Sequence, residues 1–112
     1  MHIVMVSGEY PPRWGGMGSV VYHLAGHMAQ RGHKVTVITR KHKQMPPTQT
    51  GVEVIPVRWA PLPMSFTKSF GKHAIKALNQ LKRRRSIDVV SVHLPLVSWN
   101  RKQFRYIEDN IA

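Results

Sequence analysis

His2-Ile3-Val4-Met5-Val6, followed by Ser7-Gly8-Glu9-Tyr10-Pro11-Pro12-Arg13-Trp14-Gly15-Gly16-Met17-Gly18, is the stretch whose reading decides the fold. The first five residues form a short run of β-branched and apolar side chains. It is too short for a helix and apolar on both faces, which suits a strand buried on both sides of a parallel sheet. Residues 7–18 carry Pro11-Pro12 and three glycines and are expected to be irregular. From Ser19 the spacing turns helical. Val20, Val21, Leu24, Ala25, Met28 and Ala29 recur on one face, and Gly32 is placed to stop the helix. Lys34-Val35-Thr36-Val37-Ile38-Thr39 then reads as a second strand. Strand, helix and strand make a βαβ unit, so the strands are expected to be parallel and the crossover right-handed.

The loop inside this unit is the expected functional feature. Ligands of open α/β sheets bind beyond the carboxyl ends of the strands, which is where residues 7–18 must lie. Gly15, Gly16 and Gly18 allow positive φ and close backbone approach. The helix behind them offers unpaired N–H groups and a partial positive charge, so an anionic group is favoured there. Two familiar phosphate-binding patterns do not fit. A dinucleotide fingerprint needs G-x-G-x-x-G directly after the strand and an acidic residue closing the second strand. Here the glycines read G-G-M-G, lie well beyond Val6, and Arg40-Lys41 ends the second strand. No Gly-Lys-Ser/Thr follows the loop, which excludes a Walker-type site.

The chain has 112 residues, enough for one small domain, and its 42% hydrophobic content supports a modest core. With no cysteine it has neither a disulfide framework nor a thiolate metal site, which fits a reducing cytoplasm. No apolar run approaches the roughly 18 residues of a membrane span. The N-terminus enters a strand at once, without a signal-peptide pattern. Charge is the unusual quantity. Seventeen Lys and Arg against five Asp and Glu give a formal +12, which attracts nucleic acid, anionic lipid or phosphorylated substrates.

Residues 41–50 form a basic surface loop with Lys41, Lys43, Pro46 and Pro47. Val52-Glu53-Val54-Ile55-Pro56-Val57 reads as a third strand, and Pro56, lacking an N–H, puts that end at an edge or leaving the sheet. Residues 59–64 are an apolar, proline-punctuated linker. Ser65 to about Arg85 is a long helix candidate with an apolar stripe of Phe66, Phe70, Ala74, Ala77, Leu78 and Leu81. Lys68, Lys72, Lys76, Arg83 and Arg84 are the expected contacts for an anionic membrane or other polyanion. Residues 87–93 read as a fourth strand. His93 stands at its carboxyl end, and Asp88 at the opposite end is a cap of the strand entrance rather than a catalytic group. Farther on, Phe104, Ile107 and Ile111 could line a helix. His23 and His27 share a helix face, but no H-E-x-x-H motif or suitable carboxylate accompanies them, so no metal is expected and the pair is read as helping to cover the sheet.

Ser7-Gly8-Glu9-Tyr10-Pro11-Pro12, Gly15-Gly16, Leu24-Ala25 and residues 31–39 together resemble the start of family 4 glycosyltransferases, retaining enzymes of the GT-B fold. The resemblance is specific over residues 1–40, looser over 51–95 and weak beyond. It implies an α/β, Rossmann-like parallel sheet with helices on both faces, an incomplete N-terminal, acceptor-side domain of a GT-B fold. By matching position, Gly15 and Gly16 would form the loop that reaches toward the donor diphosphate. Tyr10, Arg13 and His93 would edge the acceptor side of the cleft. Many relatives have H-x-H where this chain has Ser91 and His93, so only His93 carries over. The family's donor-binding domain, with its E-x7-E segment, has no counterpart in these 112 residues.

The resulting expectation is the acceptor-side half of a glycosyltransferase, truncated and inactive by itself. In the complete enzyme a nucleotide-sugar is substrate and no cofactor is tightly bound. The acceptor is expected to be phosphate- or lipid-linked, or a glycan, at the inner face of the cytoplasmic membrane. An exposed sheet edge would permit a homodimer. The alternative is a small basic binding module for nucleic acid or anionic membrane without catalysis. Specific nucleic-acid binding is not expected, because no nucleic-acid motif accompanies the charge.

Overall fold

The elements in chain order are β1 (His2–Ser7), α1 (Gly16–Gln30), β2 (Lys34–Arg40), β3 (Val52–Val57), α2 (Phe66–Arg84), β4 (Val89–His93) and α3 (Arg101–Asn110). They come from a computed structural model that describes residues 1–8, 10–11, 16–41, 43–44, 49–57, 66–93 and 101–110, without the side chains of Met17, Phe66, Thr67, Lys68, Arg101 and Phe104. The strands form one four-stranded sheet of order β3-β2-β1-β4. All three pairings are parallel, with Ile3 opposite Val35 and Val89, and Val37 opposite Val54. This is the Rossmann-like α/β arrangement expected from the sequence.

Strand alternation sorts the core into two layers. Val4, Val6, Ile38 and Val57 face α2 and pack with Phe70, Ala74, Leu78 and Leu81; Ile107 of α3 joins them. Ile3, Met5, Val35 and Val37 face α1 and pack with Val21 and Ala25. Helices therefore cover both faces, and β1 is buried along its whole length. Each fully buried side chain of this size contributes about 1.5–3 kcal/mol.

Local signals explain most boundaries. Gly32 adopts φ +89°, the left-handed conformation that ends α1. The Gly32 and His33 amides donate to the Ala29 and Met28 carbonyls at 3.1 and 3.2 Å. β3 is an edge strand and Pro56 is exposed, as its missing N–H requires. The β2–β3 connection lies against α1 at Gly26. A Cβ there would come within 2.7 Å of the Gln49 Nε2.

Three sequence expectations are corrected. α1 begins at Gly16, not Ser19, so Gly16 and Gly18 are helical and neither uses positive φ. Val20 and Leu24 are 57% and 41% exposed, because α1 turns only Val21, Ala25 and their neighbours onto the sheet. His23 and His27 are exposed, and the His23 ring packs edge-on against Tyr22, 5.3 Å between centroids, rather than on the sheet.

Candidate functional site

The chain leaves β3 at one edge and returns through α2 to place β4 on the far side of β1. α1, which follows β1, and α3, which follows β4, pack on opposite faces, so the carboxyl ends of β1 and β4 form the switch point, the crevice where such sheets bind ligands. Ser7 and His93 are register partners there. α1 starts on the same side, so its free N–H groups point toward this end.

Gly16, the first residue of α1, is exposed, and a Cβ added to it would meet nothing within 4 Å. A side chain at this position would therefore enter open space. Gly15 and Arg13 lie outside the described residues. Tyr10 is completely buried in the α1-side core, with its ring 5.9 Å from that of Tyr22 at 55°. Burial, then the neighbouring Tyr22, pushes the Tyr10 hydroxyl up to about 12. That hydroxyl and the buried Thr39 Oγ1 have no hydrogen-bond partner among the described residues.

His93 is half-buried as the last residue of β4, and its Nε2 lies 3.1 Å from Ser91 Oγ. Burial pushes the imidazole below its ordinary value, so the ring is neutral near neutral pH. Arg40 carries no role in the sequence reading beyond ending β2. It is 5% exposed, and its Nε donates to the Gly8 carbonyl at 2.7 Å. It thereby ties the start of the loop after β1 to the end of β2. The available signal is alternation, since Thr36, Ile38 and Arg40 share one inward face.

The basic residues of α2 lie away from this crevice. Lys72, Lys76 and Arg83 are exposed, on the side opposite Phe70, Ala74 and Leu81. The Lys68 side chain lies outside the described residues. Arg84 is turned from that row. Its guanidinium is 3.9 Å from Glu53 of β3, with the two side chains 60% and 46% exposed, and an ion pair so wet contributes little. Hollows lined by described residues lie elsewhere. One of about 290 Å³ is bordered by Lys34, Gly51, Glu53 and Arg85, and one of about 340 Å³ by Ile75, Lys102, Gln103 and Tyr106. Among the described residues no three His, Asp or Glu side chains could together hold a metal ion, and no helix is long and apolar enough to cross a membrane.

The fold is that of a Rossmann-like domain, a parallel sheet with helices on both faces. The model of Glycosyltransferase Family 4 matches residues 14–104, and the chain belongs to that family. It is 34% identical over 99 residues to a glycogen synthase of Mycobacterium tuberculosis, covering 74% of this chain and 24% of the relative. It is 28% identical over 96 residues to a phosphatidylinositol N-acetylglucosaminyltransferase polypeptide of Arabidopsis thaliana, covering 83% of this chain and 22% of that protein. The fold matches the crystal structure of WaaG, a glycosyltransferase involved in lipopolysaccharide biosynthesis, with a TM-score of 0.61 and 19% identity. That match covers 98% of this chain and 30% of WaaG. The chain thus spans about a quarter of the length of the first two relatives.

Proposed function

We propose that this chain is the acceptor-side wall of a glycosyltransferase cleft, in a protein that moves a sugar from a nucleotide-sugar to a phosphate- or lipid-linked acceptor or a glycan. The observation that carries this reading is the β1–β4 crevice, where the start of α1 at Gly16 and the neutral His93 stand at the same end of the sheet. The helix start suits a diphosphate, and the imidazole suits a sugar or polyol hydroxyl. Positioning and electrostatic stabilisation of a transferring sugar need two walls, so the 112-residue polypeptide by itself is expected not to transfer sugar.

Substituting Gly16 tests the reading. In Gly16→Val, fold stability should change little, because the added side chain enters open space. Affinity for a nucleoside diphosphate, measured by calorimetry in a protein that also carries the donor-binding domain, should fall about tenfold, or about 1.4 kcal/mol. Unchanged affinity would remove Gly16 from the donor loop.

A second reading concerns location. Lys72, Lys76 and Arg83 line the outer side of α2, and that helix contains no acidic residue. This supports peripheral docking on anionic membrane at the cytoplasmic face. Vesicles containing anionic lipid should bind the protein at physiological salt, and a triple Lys72→Glu, Lys76→Glu, Arg83→Glu variant should lose binding. Equal binding to arbitrary DNA, lost together with vesicle binding in salt, would reduce this to bare charge. Pairing of two copies through the exposed β4 edge is the corresponding proposal for a homodimer, read out by sedimentation.

A further inference from the structure

Ser91 and His93 are two residues apart on β4, so their side chains leave the same face of the sheet. That face is the α1 side, because the alternate residues Val90 and Val92 pack into the α2-side core. Yet α1 lies over β1, β2 and β3, and Val89 on the same face is exposed. The one recorded hydrogen bond of the His93 ring among the described residues is Nε2 to Ser91 Oγ, 3.1 Å.

We propose that Ser91 is a positioning residue for His93: its hydroxyl donates to Nε2, holds the ring in one rotamer, and fixes the proton on Nδ1, which becomes the donor offered to a ligand oxygen at the β1–β4 crevice. A neutral imidazole has one donor and one acceptor, so the role of one nitrogen dictates that of the other. With the Ser91 hydroxyl taken as the donor across this 3.1 Å contact, Nε2 accepts and the ring proton stands on Nδ1. A ligand then meets an N–H that suits a hydroxyl or phosphate oxygen, rather than a base. The functional part rests on the proposed placement of His93 at the acceptor side, but the tautomer does not.

The test is long-range ¹H–¹⁵N correlation on the full chain labelled at histidine, with His93 assigned by His93→Gln. Wild type should show His93 as the Nδ1–H tautomer. Ser91→Ala should lose that single form and give an averaged ring signal, and Ser91→Thr, which keeps the hydroxyl, should retain it. An Nε2–H tautomer in wild type, or a Ser91→Ala signal identical to wild type, would overturn the assignment. Inorganic phosphate then probes the ligand side. Its titration should shift the wild-type Nδ1 resonance and do so about threefold more weakly in Ser91→Ala. If the tautomer result holds and phosphate leaves Nδ1 unmoved, the positioning role stands and the acceptor-side placement of His93 fails.

Discussion

The two ends of the same four strands are finished differently. At the amino end the buried His2 and Thr36 side chains are engaged, although Gln49 Oε1, beside the start of β3, is buried without a described partner. His2 Nδ1–H donates to the Ser86 carbonyl at 2.8 Å, leaving Nε2 to accept from the Thr36 hydroxyl at 2.9 Å. The His2 amide donates to Asp88 Oδ2 at 2.7 Å, and the Asp88 amide returns a bond to the His2 carbonyl at 2.9 Å. At the carboxyl end, Tyr10 and Thr39 keep buried hydroxyls without described partners, and His93 is held through one nitrogen. A buried polar group without a partner costs about 1–3 kcal/mol. Around His2 the amino end is tied together by these bonds, whereas at the carboxyl end two buried hydroxyls carry that cost.

The sharpest way to break this contrast is His2→Ala. It strips partners from Thr36 and the Ser86 carbonyl together, and urea unfolding should show a loss of about 3 kcal/mol. A loss under about 1 kcal/mol would mean that the amino end is not the clamp described. Next, Arg40→Met should cost about 2 kcal/mol by removing a charged donor from the buried Gly8 carbonyl. That would make Arg40 the one strong tether described at the carboxyl end. Tyr10→Phe should go the other way, stabilising by about 1 kcal/mol, since packing is kept and an unpaired hydroxyl is removed. Destabilisation by that change would reveal a partner for the hydroxyl and narrow the difference between the two ends.

The smallest effect is the pH dependence of His93. Its native value lies below 6.5, so the unfolded chain binds the proton first as pH falls. Stability should decline from about pH 6.5 down to the native value and then level off for this group, and His93→Gln should flatten that segment of the profile. A slope of opposite sign would mean that the ring gains an anionic neighbour in the folded protein.

The candidate site is less legible in the sequence than the fold, for a definable reason. His93 sits at a strand end that periodicity fixes, whereas Gly16 stands out through the family resemblance, since spacing alone begins the helix at Ser19. Tyr10 and Arg40 resist that reading because their roles depend on which way a side chain turns at a strand end. An aromatic beside Pro11 looks like a loop contact until Tyr22 is seen packed against it. A basic residue beside Lys41 looks solvated until its guanidinium is found on the Gly8 carbonyl. Likewise Val20 and Leu24 fit the apolar stripe of α1, and their exposure depends on which strands that helix lies across.

The sequence by itself determined the element types, the parallel sheet and its two-sided core, because strand and helix periods and the Gly32 stop act over a few residues. It also carried the family, through the Tyr-Pro-Pro, Gly-Gly and Arg-Gly-His stretches of the first forty residues. Only the tertiary structure decided that β4 returns beside β1, opposite Ser7, and that the two sheet ends differ in how their polar groups are paired. Those outcomes join residues more than eighty positions apart, and no local preference encodes a hydrogen bond between His2 and Ser86.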